Sequence, residues 1–202
     1  MLFRSVDSTE NTNNKELLSF IHLNRSLIEV LCIDTNDSDS MRQTMNEFAK
    51  QSSSIQLFQQ KKGELADARN KALAKASGSY IMFCNLSHLH PSDIKEYMTD
   101  AVKKQHADIV VKNSVIFASI RQNSSQKDTD TFMLNDTTKA VMNHYLWHTM
   151  FKKTLIDQYQ ITFPEIELYS EVTFVWQYLS ICQTVHLLNH EQHNRGSISA
   201  IL

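Results

Sequence analysis

The stretch FCNLSHLHP, residues 83–91, is the part of the sequence whose residue types come closest to a ligand or metal site. It continues the apolar run YIM, and the end of a buried strand is where an open α/β sheet holds its ligand. A metal-bound phosphate would require carboxylates at this point. The polar side chains present are instead uncharged oxygens and imidazoles, at Asn85, Ser87, His88 and His90. Three alternatives follow: an altered metal site, a lost metal site, or a stretch that never held a metal.

The histidines of this stretch, His88 and His90, are the residues that could take a softer metal such as Zn²⁺. Three histidines near the end of the sequence could add ligands, namely His186, His190 and His193. A His-x-His pair alone is weak evidence for a metal. The simpler interpretation is that these imidazoles are surface or hydrogen-bonding groups.

The composition excludes several classes of protein. The 202 residues carry a net charge of −2 with both signs mixed, and no basic stripe indicates nucleic-acid binding. No apolar run approaches the roughly 20 residues that span a bilayer. The first residues, MLFRSVDSTENTNNK, are too polar for a signal peptide. We therefore expect a cytoplasmic protein that folds as one domain over residues 1–202.

The cysteines support this expectation. Cys32, Cys84 and Cys182 all lie in apolar runs and have no C-x-x-C spacing. This pattern predicts buried, reduced thiols rather than a disulfide or a metal site.

The first half of the sequence alternates strand and helix signals. The predicted strands are 26–34, 54–60 and YIMFC, and the predicted helices are 40–51, 64–76 and 91–105. Gly78 is expected to end the second helix, and Pro91 to lie in the first turn of the third. Such alternation predicts an α/β fold with a mostly parallel sheet flanked by helices.

The second half gives a more helical pattern. Residues 107–119 predict a strand, and the polar residues 121–131 predict a mobile loop. KAVMNHYLWHTMFKKTLIDQ has apolar residues at helical steps, and EVTFVWQYLSIC predicts a further helix. TVHLLNH predicts the last strand, with a surface loop after it. Trp147 and Trp176 are expected to be core residues rather than sugar platforms.

Five segments, in order and spacing, resemble family 2 glycosyltransferases of the GT-A fold. They are IEVLCIDTNDSDS, KKGELADARNKALAKASGSYIMF, LWHTMFKKTLIDQYQITFPE, LYSEVTFVWQYL and RGSIS. The similarity is strongest to bacterial enzymes of the surface-polysaccharide and teichoic-acid type. It implies a GT-A-like fold and transfer of a sugar from a nucleoside diphosphate donor to an acceptor hydroxyl. It also implies a Mn²⁺ or Mg²⁺ ion held by Asp-x-Asp on the leaving diphosphate.

The resemblance places several residues at the donor site, each with a structural alternative. Asp34 matches the acid that contacts the base or ribose, or it simply begins a turn. Arg69 and Asn70 match Ala-Arg-Asn, whose arginine lies near the donor. The alternative for this arginine is a helix-surface ion pair with Asp67 or Glu64.

The resemblance also suggests residues for the chemistry itself. Glu171 matches an acid of the Glu-Asp pair and is the candidate general base; otherwise it is a carboxylate favoured at a helix N-terminus. Arg195, in the closing loop, could bind a diphosphate as a bidentate cation.

Two departures from the family pattern concern the donor site. Asn85, Ser87 and His88 stand where the family has acids, so the donor-binding groups at this point lack negative charge. The opening MLFRSVDSTEN lacks the proline and tyrosine that cup the base, and the helix after it looks truncated. A divalent metal cofactor, expected from the family, is therefore not supported by the residues of this stretch.

Two functions remain open from the sequence. The first is an active glycosyltransferase that takes a UDP-sugar or another nucleotide sugar and a glycan acceptor. The second is a non-catalytic homologue that acts as a partner or regulator of another glycosyltransferase, binds a glycan, or forms a homo-oligomer. Either would work in the cytoplasm or at the inner face of the membrane, without a transmembrane segment.

Overall fold

The computed structural model describes most of the chain in separate ranges. These are 2–4, 16, 19–34, 43, 46–47, 49–59, 65–85, 91–103, 107–112, 131–136, 139, 142, 146–147, 149–166 and 169–188. No helix within these ranges is both long and apolar enough to cross a membrane.

Strands and helices alternate along the first half of the chain and are mixed along the second. In chain order they are β1 (Leu2–Arg4), β2 (Val30–Asp34), β3 (Ile55–Gln59), α1 (Leu65–Lys75), β4 (Tyr80–Asn85), α2 (Pro91–Lys103), β5 (Ile109–Val111), β6 (Thr131–Met133), β7 (Thr149–Lys152), α3 (Lys153–Gln158), α4 (Ser170–Ile181) and β8 (Thr184–Leu187). Residues 16 and 19–23 are also helical, as are 43, 46–47 and 49–51.

The strands form one sheet in the order β3-β2-β1-β4-β7-β5-β8-β6. Neighbours among β3, β2, β1 and β4 are parallel, as the alternating pattern predicts. β7 is antiparallel to both of its neighbours, β4 and β5, while β5 and β8 are parallel. The predicted α/β class is confirmed, with a parallel half joined to a mixed half.

Both faces of the sheet are covered, because successive strand residues point to opposite sides. Leu31, Ile33, Ile81 and Phe83 face a core shared with α1 and α4. The alternate residues face a second core shared with α2 and the helical residues near Ile21, and they include Val30, Cys32, Met82 and Cys84. The result is a three-layer arrangement in which the strand ends are left at the edges of the sheet.

One predicted helix is wrong in part. The segment KAVMNHYLWHTMFKKTLIDQ was expected to be helical throughout, but Thr149–Lys152 forms strand β7 and the helix begins only at Lys153. Thr149 and Phe151 are buried while Met150 and Lys152 are half-buried, which is the period of a strand. The ladder to β4 and β5 and the burial of Phe151 between them outweigh the helical spacing. Val141, Tyr145 and His148 lie outside the described residues.

The ends of two helices differ from the expectation for glycine. α1 ends at Lys75, three residues before Gly78. Just after the helix, the Ser77 backbone N–H donates to the Glu29 carboxylate at 2.8 Å. The left-handed conformation occurs instead after α3, where Gln160 has φ of 52°.

Gln160 closes α3 through two backbone hydrogen bonds. Its own N–H donates to the Asp157 carbonyl at 3.3 Å, and the Ile161 N–H donates to the Ile156 carbonyl at 3.0 Å. Both isoleucines are buried, which completes the pattern of a Schellman motif. Glycine normally occupies this position because a Cβ is unfavourable there.

Replacing Gln160 with glycine is therefore expected to stabilise the fold by about 0.5–1 kcal/mol, because it relieves the left-handed strain. Urea denaturation of the two proteins measures the change. The matched control is Gln158→Gly, in the helical last turn of α3. That substitution should destabilise by about 0.8–1 kcal/mol. Equal signs for the two substitutions would contradict this account.

The three cysteines are free and buried, as predicted. Burial raises the pKa of the Cys32 thiol to about 12 and that of the Cys182 thiol to about 12. Burial also raises the pKa of Cys84. These thiols remain protonated at neutral pH and are unsuited to nucleophilic or metal chemistry.

Candidate functional site

The carboxyl edge of the parallel strands is where the predicted donor residues meet. In the sheet register Arg4 of β1 lies opposite both Ile33 of β2 and Asn85 of β4. Asp34 follows Ile33. Asp34 and Asn85 are therefore the last residues of β2 and β4, the two strands that flank β1, and lie at the same edge of the sheet. They stand two strand spacings apart, roughly 10 Å.

This edge is also a topological switch point. The chain order runs outward from β1 to β2 and β3 on one side and continues with β4 on the other side of β1. In open α/β sheets, ligands bind in the crevice outside the carboxyl ends of the strands at such a point. By this rule the ligand cleft is expected beside Asp34 and Asn85, and the donor-binding roles of both residues stay predictions.

Glu171, the candidate base, lies in the first turn of α4 and is held by two donors. Arg69 Nη2 donates to its Oε1 at 2.5 Å, and the indole Nε1 of Trp147 donates to its Oε2 at 3.1 Å. Its side chain keeps 34% of its surface exposed. The carboxylate is thus fixed in orientation yet open to solvent, at the helix end where negative charge is favoured.

Arg69 is almost completely buried, with 3% of its side chain exposed. Its guanidinium lies 5.0 Å from the centre of the Phe163 ring and 5.7 Å from that of Trp147. Asp67, one of the two alternative partners, pairs with Lys71 at 2.6 Å. Glu64, the other expected partner, lies outside the described residues. Arg69 points into the protein and meets Glu171 there.

Asn70, the next residue, fixes the loop that leads to α4. Its Nδ2 donates to the Phe163 carbonyl at 2.8 Å, and its Oδ1 accepts from the Phe163 N–H at 2.8 Å. The side-chain amide thereby pairs with both backbone groups of one residue, as a neighbouring strand would. The donor-binding role predicted for Asn70 stays a prediction beside this structural role.

Aromatic packing connects Glu171 and its partners to the ligand-binding edge. Trp147 forms a parallel backbone bridge with Phe83, two residues before Asn85. The Phe83 ring meets the rings of Phe163 and Phe174 edge-on, each at 5.3 Å. Glu171, Arg69 and Trp147 are consequently anchored to the strand that ends at Asn85.

Of the five histidines considered as ligands of a softer metal, only His186 lies within the described residues. His186 is fully buried in β8, three strand spacings or roughly 14 Å from β4, so it is too distant to join a metal at the end of β4. Across the described ranges, no three His, Cys, Asp or Glu side chains cluster so that they could hold a metal. The stretch after β4 supplies neutral oxygens and imidazoles, a poor fit for Mg²⁺ or Mn²⁺.

Several predicted residues lie outside the described part of the chain. These are Ser87, His88, His90, His190, His193 and Arg195. Asp34 and Asn85 are placed by their backbone alone. The roles predicted for all of these residues therefore stay predictions.

The tryptophans depart from the expectation that both are core residues. The prediction for Trp176 is wrong, because 58% of this residue is exposed on α4. Trp147 does pack against the core, but its indole N–H is committed to Glu171. No sequence signal could indicate that contact, because residues 147 and 171 are brought together only by the tertiary fold.

A cleft of about 630 Å³ lies elsewhere, at the amino ends of β2 and β4. Its walls include Leu27, Glu29, Tyr80, Met98 and Met150. Because this is the opposite edge of the parallel strands, the cleft is separate from the predicted donor site.

The strand order defines an α/β protein with a topological switch point in its sheet, and comparison with known proteins gives its family. The model of glycosyl transferase family 2 matches residues 11–167, so the chain belongs to this family. The match ends before Glu171, and the candidate base therefore rests on the structure and the resemblance rather than on the matched segment.

Two curated relatives are similar over part of their length. One is the uncharacterized glycosyltransferase EpsJ of Bacillus subtilis (strain 168), 21% identical over 73% of this chain and 46% of the relative. The other is the cholesterol galactosyltransferase of Borreliella burgdorferi, 27% identical over 44% of this chain and 25% of the relative. The chain spans less than half the length of these relatives.

Solved structures show the same fold. The crystal structure of S. aureus TarS residues 1–349 has a TM-score of 0.65 at 15% identity, covering 94% of this chain and 58% of that one. The mannosyltransferase PcManGT from Pyrobaculum calidifontis, in complex with GDP-Man and Mn²⁺, has a TM-score of 0.57 at 14% identity, covering 92% and 53%. The predicted GT-A family 2 fold is confirmed.

Proposed function

We propose that this chain is one glycosyltransferase domain that transfers a sugar from a nucleoside diphosphate sugar to a hydroxyl of a glycan acceptor. Glu171 is the general base in this proposal, and the donor binds at the carboxyl ends of β2 and β4. The observation that carries it is the grouping of Arg69, Glu171 and Trp147 beside the strand that ends at Asn85.

The position of Glu171 suits proton removal from an acceptor. A general base must be near the reacting centre, ionised and accessible. Glu171 is anchored to β4 through Trp147, paired with a buried cation, and partly open to solvent. A rigid carboxylate that still faces water can meet an acceptor hydroxyl that enters from the solvent side.

The donor end of the site needs positive charge to balance the leaving diphosphate. Structures of TarS with UDP-GlcNAc and of PcManGT with GDP-Man support a nucleotide-sugar donor for this fold. In this chain the acids of Asp-x-Asp are replaced by Asn85 and Ser87. We propose that Arg195 supplies compensating charge, with Asp34 contacting the nucleoside.

The second candidate function is a non-catalytic homologue that acts as a partner or regulator of another glycosyltransferase, or that binds a glycan. One observation favours it: the residues after β4 do not fit the hard cation that the family uses on the leaving group. In this case the fold is retained as a scaffold, and either function operates in the cytoplasm or at the inner face of the membrane.

Thermal unfolding with nucleotides separates the two functions. If the donor site works, UDP, GDP or their sugars at 100 times Kd should stabilise the domain by about 2.7 kcal/mol. That corresponds to a rise in Tm of roughly 5–10 °C for a domain of this size. Repeating the measurement with Mn²⁺ and with chelator shows whether binding needs a cation.

The control for this measurement is Asp34→Asn, which should reduce the nucleotide shift while leaving the Tm of the free protein nearly unchanged. No shift with any nucleoside diphosphate at millimolar concentration would reject donor binding. Co-purification with another glycosyltransferase would then support the second function.

A further inference from the structure

We infer that Trp147 is a positioning residue for Glu171, one that sets the orientation of the base through its indole N–H. This inference rests on the proposed function, because positioning matters only if Glu171 removes a proton. It goes beyond the sequence expectation for Trp147, which is a core position.

The geometry of the carboxylate carries the inference. Each oxygen of Glu171 accepts one hydrogen bond from a described residue, Oε1 from Arg69 and Oε2 from Trp147. A carboxylate offers about four lone-pair sites, so about two remain for an acceptor hydroxyl. With Arg69 alone, contact through the single Nη2 would leave the carboxylate free to turn about that atom. The second donor fixes the plane of the carboxylate.

The backbone of Trp147 fixes where this donor stands. Its bridge to Phe83 ties it to β4, and its ring packs over the Arg69 guanidinium at 5.7 Å. Glu171 belongs to α4, which approaches from another part of the chain. Trp147 therefore sets the distance and angle between the base on α4 and the donor edge at the end of β4. A rigid arrangement of this kind is what precise placement of reacting groups requires.

The first experiment tests the contact without relying on turnover. The sequence has two tryptophans, so an ¹⁵N spectrum shows two indole N–H signals, assigned by Trp147→Phe and Trp176→Phe. A hydrogen bond to a carboxylate should place the Trp147 indole proton downfield of the exposed Trp176 proton and slow its exchange with water. Glu171→Gln should move the Trp147 signal upfield and leave the Trp176 signal in place. A Trp147 signal that does not move would overturn the inference, whatever the activity.

The second experiment measures the role in transfer. Trp147→Phe should lower kcat by about 10- to 100-fold, the scale of a lost hydrogen bond to a charged group, with the donor KM changed less than twofold. Incorporating 3-benzothienylalanine at position 147 keeps the ring size without the N–H and should give the same loss. Trp176→Phe is the matched control and should keep wild-type kcat.

The outcomes distinguish this inference from the proposed function. An unchanged kcat in both Trp147 variants of an active enzyme would overturn the positioning role while leaving the glycosyltransferase function in place. Absence of turnover in the wild-type protein would reject the proposed function and, with it, the positioning role. The indole signals would still report on the contact in that case.

Discussion

Glu171→Gln is expected to lower kcat for sugar transfer by about 10²–10⁴-fold, the range lost when a general base is removed. The amide keeps nearly the same shape but cannot accept the proton. The donor KM should change little, since Glu171 is proposed to act on the acceptor. Steady-state release of the nucleoside diphosphate from a sugar donor measures both constants.

Two further variants serve as controls for the Glu171→Gln measurement. Glu171→Asp keeps the carboxylate charge but shortens the side chain by one methylene, which moves the carboxylate away from the acceptor. An intermediate kcat is therefore expected. Glu47→Gln removes an exposed glutamate elsewhere and should have no effect. A Glu171→Gln protein that is folded and retains more than about a tenth of wild-type kcat would rule out Glu171 as the base, given the magnitude expected of one.

The second large effect is on stability, and its size should depend on which partner of the ion pair is removed. Arg69 is 3% exposed and Glu171 is 34% exposed. Removing the carboxylate takes a hydrogen-bonded ion pair away from a buried cation, at a cost of about 3 kcal/mol. Removing the arginine leaves a carboxylate that water can reach, so Arg69→Met should cost less, roughly 1–2 kcal/mol.

Urea denaturation of a double-mutant cycle measures this difference. The Arg69→Met/Glu171→Gln protein should be more stable than the sum of the single changes predicts, because each single change already removes the same ion pair. The matched control is Lys71→Met on the same helix, whose Lys71–Asp67 pair is exposed and should contribute less than about 1 kcal/mol. Additive single effects would show that the pair does not act as a unit.

The parallel half of the fold could be predicted from sequence because its signals are local. Continuous apolar runs of strand length mark β2, β3 and β4, and the segments rich in Ala, Leu and Lys mark α1. Alternation then requires crossover connections and a parallel sheet. The carboxyl edge with Asp34 and Asn85 follows from this topology without any knowledge of side-chain contacts.

The mixed half was less predictable because tertiary contacts decide it. Phe151 lies at a helical step along the sequence, yet the ladder between β4 and β5 makes its segment a strand. Gln160 adopts a left-handed conformation that its residue type does not favour. The strand at Phe151 depends on neighbours far away in the chain, whereas Gln160 closes a local motif that its residue type does not signal.

The same distinction applies to the candidate site. Arg69 and Glu171 were suggested separately, by two segments 102 residues apart, and their ion pair exists only in the folded protein. Local spacing suggests Asp67 or Glu64 as the partner of Arg69, whereas the structure brings Glu171 to it. No sequence signal indicates the contact of Trp147 with Glu171, because the indole donor and its acceptor come together only in the folded protein.

The account depends most on transfer of sugar by a site whose metal-binding acids are replaced. The direct test is the release of nucleoside diphosphate from a sugar donor by the wild-type protein, with water or glycan as acceptor, in chelator and again with added Mn²⁺. We predict release in chelator at a rate within twofold of that with Mn²⁺, and its loss in Glu171→Gln. Absence of release under every condition, or release that vanishes in chelator and returns with Mn²⁺, would contradict the account.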